Sequence, residues 1–129
     1  MKHFCFVFFA VILFASAAAE TRDGRWWLSL SPLEKATYTA GMMDGVNVGE
    51  GISPEPELFT ARAAELLANK NVKQLKDGID HFYKDFRNRS IPVYSAFWVV
   101  AMEINGVAAT KIEEMIRALR RESATRRHE

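Results

Sequence analysis

Asp77, Asp80, His81, Tyr83 and Asp85 stand close together in this 129-residue chain and are its side chains best suited to proton transfer. Asp77 and Asp85 each lie four residues from His81, one helical turn to either side. Either carboxylate could hold one ring nitrogen and leave the other as a general base near neutral pH. A base of this kind becomes catalytic only beside a nucleophile or a substrate pocket, and the neighbouring sequence offers no obvious activated nucleophile. A solvated helix face rich in both signs of charge makes the same pairs by composition alone. We therefore read these residues as surface ion pairs and assign no catalytic residue.

Lys84, Arg87, Asn88 and Arg89 form a second group, a compact basic corner. Guanidinium groups and an asparagine at a helix end can take a carboxylate or phosphate in a forked arrangement. They can equally bond the carbonyls that a helix terminus leaves free, or pair with the stretch from Asp44 to Glu57, whose charges are all acidic. Metal and cofactor chemistry finds little support. The single cysteine, Cys5, lies in the N-terminal apolar run, and without that run only His81 and His128 remain as imidazoles, so no metal site and no cofactor are assigned. A net charge of +1 argues against a nucleic-acid partner held by bulk charge.

The elements that position these groups are helical. Val72, Leu75, Ile79, Phe82 and Phe86 recur at three- and four-residue steps and predict one apolar stripe. Lys73 with Asp77, Lys76 with Asp80 and His81 with Asp85 pair along the other faces. Asn71 and Gln74 form a capping box that starts the helix. Pro92 disfavours helical geometry at Ile91 and suits the first turn of a new helix, which predicts a corner between Arg89 and Pro92. Beyond it, Val93, Phe97, Val100 and Ile104 make one apolar face and Tyr94, Trp98 and Ala101 another, the pattern of a helix wrapped by others. Gly106 is placed as its left-handed terminator. The charge-free run from Ser90 to Met102 is too short for the roughly 20 residues of a membrane-spanning helix.

The opening MKHFCFVFFAVILFASAAAE reads as a signal peptide over residues 1–19: a positive Lys2, an apolar run from Phe4 to Phe14, and small residues at Ala15-Ser16-Ala17 or Ala17-Ala18-Ala19 for the cut. An uncleaved anchor is the alternative. Periplasmic or secreted localisation follows from the first reading. Residues 20–30 form a polar leader ending in Trp26 and Trp27, two rings that either fold back over the core or stand out as binding anchors. Ser31-Pro32-Leu33-Glu34 opens a helix reaching about Val48, in which Gly41 and Gly45 imply close packing of another element, or else a ligand cleft. Gly49 to Glu57 is a connector, followed by a short helix from Glu57 to about Ala68 carrying Phe59, Ala63, Leu66 and Leu67 on one side. Thr110 to Glu113 is a further capping box, and Ile112, Met115, Ile116 and Leu119 give the last helix its buried stripe. Residues 123–129 form a frayed tail. The fold class expected is all-α, a compact five-helix bundle over residues 31–122.

The layout of signal peptide, short leader, helix with Tyr38-x-x-Gly41-x-x-x-Gly45 and helical remainder resembles the small exported Rap1a-type immunity proteins, chiefly over Leu30 to Val48. Members commonly carry cysteines in the mature domain, which have no counterpart here. The resemblance implies a protein that neutralises a bacterial toxin by binding it, and it transfers no site residue. Ile79 to Val93, IDHFYKDFRNRSIPV, is similar to a segment of uncharacterised small exported bacterial proteins and brings no activity with it. The function expected is therefore an exported, non-enzymatic protein that binds another protein, with Trp26, Trp27, Tyr83, Arg87 and Arg89 as interaction candidates. The alternative is a small-molecule binder with a pocket between the glycine groove and Phe82, Phe97 and Trp98.

Overall fold

Proline at position 92 caps the start of the central helix, and the molecule is arranged around the corner that precedes it. The computed structural model describes residues 22–52 and 58–126. The expected signal peptide, most of the connector and His128 lie outside the described residues. Among the described residues there are six helices: α1 (Gly24–Ser29), α2 (Pro32–Ile52), α3 (Leu58–Leu67), α4 (Val72–Phe82), α5 (Val93–Ile104) and α6 (Ala109–Thr125), with a 3-10 turn over Phe86–Asn88 between α4 and α5. The fold is all-α, and no strand occurs among the described residues. No helix among them is long and apolar enough to cross a membrane.

α5 is the central rod. Val93, Ala96, Phe97, Val99, Val100 and Ala101 are buried along it, packed by Leu75, Ile79 and Phe82 of α4 and by Ile112 and Ile116 of α6. Each valine, leucine, isoleucine or phenylalanine side chain among them contributes about 1.5–3 kcal/mol when fully removed from water, which is why a helix with so little polar surface takes the middle. α2 lies against α3 and α4 on the other side. α4 packs closely on α5 at Gly78, where an added Cβ would overlap Val100 Cγ1. Close packing was expected instead at Gly41 and Gly45, yet a Cβ at either would meet nothing within 4 Å.

Helix ends follow local chemistry with one exception. Asn71 and Gln74 exchange side-chain and backbone bonds of 2.9 and 3.1 Å at the start of α4. Ser31 and Glu34 do the same for α2 at 3.3 and 2.7 Å. The capping box expected at Thr110 does not form: α6 starts two residues earlier, after Ala108, which makes no side-chain cap bond. The reason lies on the α5 side. Gly106 takes φ +76°, its N–H donates to Glu103, and Val107 N–H donates to Met102 at 3.1 Å. This Schellman closure fixes where the chain turns and leaves Ala108 alone to begin α6. α2 likewise continues past Val48 to Ile52, since glycine weakens a helix without forbidding it.

The leader holds a helix of its own. The Asp23 carboxylate accepts from the N–H groups of Arg25 and Trp26 and caps α1. Residues 22–24 are then strapped to the corner: Gly24 N–H donates to the Arg89 carbonyl at 3.0 Å, and Val93 N–H donates to the Arg22 carbonyl at 2.8 Å. The last helix also outruns expectation, reaching Thr125 with Ser123 buried.

Candidate functional site

The carboxylates around His81 are committed to other partners. Asp77 takes Lys73 and Lys76, each at 2.6 Å. Asp80 takes Lys35 at 2.8 Å, the Trp27 indole N–H at 2.9 Å and Lys76 at 3.1 Å, tying α1, α2 and α4 together. Asp85, expected to face His81, is held instead by Arg87 and Arg120, and His81 itself is exposed. Tyr83 is fully buried and donates to the Ile91 carbonyl at 2.8 Å. Burial pushes its phenol well above the ordinary range, which removes it as an acid or base near neutral pH. Among the described residues no group of three or more His, Cys, Asp or Glu is placed to hold a metal ion.

These pairs leave a pH signature. Hydrogen bonds from Lys73 and then Lys76 bring Asp77 down to about 2, and the Arg87 guanidinium does the same for Asp85. Burial raises Asp80, but the bonds from Lys35, Trp27 and Lys76 outweigh it and the net direction is down. Each carboxyl therefore binds its proton less readily folded than unfolded. The stability this supplies is present above the ordinary carboxylate pKa of about 4 and is lost as pH falls through the folded values near 2. Thermal melts should show a level midpoint from neutral pH to about 4, then a steep fall. A midpoint unchanged down to about pH 2 would mean that these pairs contribute nothing.

The basic corner divides into braces and free groups. Asp85 Oδ1 accepts from the Arg87 N–H at 3.0 Å and from Arg87 Nε at 2.9 Å, while Oδ2 accepts from the other guanidinium nitrogen at 2.6 Å, a forked pair that also caps the 3-10 turn. Asn88 is buried; its amide nitrogen donates to the Phe82 carbonyl at 2.8 Å and its oxygen accepts from Arg120 Nε at 2.9 Å. Arg120 reaches Asp85 Oδ2 at 3.0 Å as well, so α6 clamps the turn. Asn88 is thus structural. Lys84 and Arg89 are exposed, and the Arg87 side chain keeps 61% of its surface in solvent beside Asp85.

Phe86 was expected in the buried stripe with Phe82, but it is 72% exposed. α4 stops at Phe82 because Tyr83, not Phe86, takes the last place in the core. The chain then reverses through the Asp85-capped turn and points Phe86 outward. The signal for this was present in Phe82-Tyr83, two adjacent rings that cannot share one helical stripe, and in Asp85 as a new cap.

Of the remaining interaction candidates, Trp27 and Tyr83 are inside the core and cannot meet a partner. Trp26 is half-buried, edge-on to Tyr38 with centroids 4.9 Å apart, and the Arg22 guanidinium lies 5.4 Å from its ring. The cleft expected beside the glycines is a cavity of about 320 Å³ lined by Met42, Gly45, Val46, Gly49 and Ala63 with Tyr94, Phe97 and Trp98; Phe82 and Gly41 are not part of its lining. Comparison of the chain with protein-family models, with curated proteins and with solved structures gave no match.

Proposed function

We propose that the protein is an exported, non-enzymatic binding protein that docks another protein through the corner Lys84–Arg89, with a bacterial toxin as the partner implied by the immunity-protein resemblance. The observation that carries this reading is the exposed Phe86 ring, held on a turn braced from α4, α6 and Asp85 and flanked by Lys84, Arg87 and Arg89. Interface energy concentrates in a few aromatic and arginine anchors, and a turn already fixed before binding loses little freedom when a partner orders it. The basic groups around the ring favour an acidic partner surface. The lack of a reactive constellation at His81 fits the same reading.

Affinity capture from a periplasmic extract tests it, with Phe86→Ala and Arg89→Ala set against Leu33→Ala, which removes an exposed apolar side chain on α2. A partner retained by the native chain and by Leu33→Ala should be lost from Phe86→Ala, whose affinity is expected to fall by about 2 kcal/mol or more. Its melting temperature should stay close to native, because the ring is out in solvent. Capture of the same proteins by all four chains would overturn the assignment.

A further inference from the structure

We infer that the cavity between α2, α3 and α5 is a second binding site, independent of the corner, for a small uncharged aromatic molecule about two rings in size. Its lining fixes the charge of the occupant. Met42, Val46 and Ala63 are apolar, Gly45 and Gly49 present bare backbone, and Tyr94, Phe97 and Trp98 present rings; none is an acid or a base that would carry charge at neutral pH. Among the described residues nothing there could balance a carboxylate, a phosphate or an amine, and burying an unpaired charge is heavily unfavourable. Water is a poor tenant for the same reason, since a stable buried water needs two or more polar partners.

Size follows from volume. An apolar cavity of about 150 Å³ accepts benzene, and this one, at about 320 Å³, is about twice as large and within the range of ligand pockets. Shape follows from the walls. Phe97 and Trp98 stand edge to face with centroids 5.1 Å apart, and a further flat ring can pack against such rings edge-on or offset-stacked. Across from them runs the glycine side of α2. A helix gives up stability at each interior glycine, and close contact is the usual return. Here a Cβ at Gly45 or Gly49 would meet nothing within 4 Å. What the glycines provide is open space, and side chains in their places would fill the cavity.

The test is fluorescence titration of the full chain with the neutral two-ring probe 6-propionyl-2-(dimethylamino)naphthalene. Saturable, blue-shifted binding of one probe per protein is expected. Gly45→Leu should weaken it at least ten-fold, whereas Gly41→Leu, which adds the same side chain where it also meets nothing but off the cavity, should leave it unchanged. Far-UV circular dichroism confirms the fold of each variant, and Gly49→Leu carries the same comparison if Gly45→Leu does not fold. Absence of saturable binding to the native chain overturns the proposal. So does equal binding by the folded Gly45→Leu and Gly49→Leu variants, or equal weakening by Gly41→Leu.

Discussion

Trp27→Ala is expected to lower the unfolding free energy by about 3–5 kcal/mol, a large part of the 5–15 kcal/mol that holds a domain of this size together. The ring is fully buried and docks α1 onto the core. Its removal leaves a cavity and also takes the indole N–H from Asp80 at 2.9 Å. Asp80 then keeps Lys35 and Lys76, but Lys35 loses the ring face on which it rests, 5.6 Å from the centroid. Trp27→Phe separates the two effects, since it keeps much of the volume and gives up the bond, with about 1–2 kcal/mol expected for the bond. Chemical denaturation followed by circular dichroism measures both. A loss below about 1 kcal/mol for the alanine variant would mean that α1 is peripheral to the fold.

Gly24→Ala should also destabilise the fold, although it adds only a methyl group. An added Cβ would overlap the Tyr83 ring and stand 2.8 Å from Arg89 Cα, so backbone has to move. Overpacking of this kind costs about 1–3 kcal/mol, and the bond from Gly24 N–H to the Arg89 carbonyl is strained with it. Gly45→Ala gives the contrasting sign. Its Cβ meets nothing, so the better helix former should stabilise the protein by up to about 1 kcal/mol. Two glycine-to-alanine changes with opposite outcomes, read from denaturation midpoints, check that Gly24 is there for close approach and Gly45 is not.

The parts legible in the sequence were those set by local chemistry. Pro92 after Ile91 marked the corner, Asn71 with Gln74 marked the start of α4, and the missing charges between Ser90 and Met102 marked the central rod. What escaped depended on contacts between distant residues. Trp27 makes a helix of the leader because its indole reaches Asp80, fifty-three positions away. Gly78 and Gly45 look alike in a sequence, yet one faces Val100 and the other faces space. Thr110 carries the right cap chemistry, but the Schellman closure upstream decides the start of α6. For the candidate site, the basic residues Arg87 and Arg89 were visible and Phe86 was not, because helical periodicity was carried four residues past Phe82, where α4 ends and Tyr83 turns into the core.

The strap between residues 22–24 and 89–93 also has a mechanical consequence. Arg22 is joined to the start of α5 through Val93 N–H, and Gly24 to the corner through the Arg89 carbonyl. Tension on the front of the chain is therefore delivered straight to the loop that carries Phe86, bypassing the helices behind it. A bulky fusion or a surface tether attached ahead of Arg22 would therefore act on that loop first.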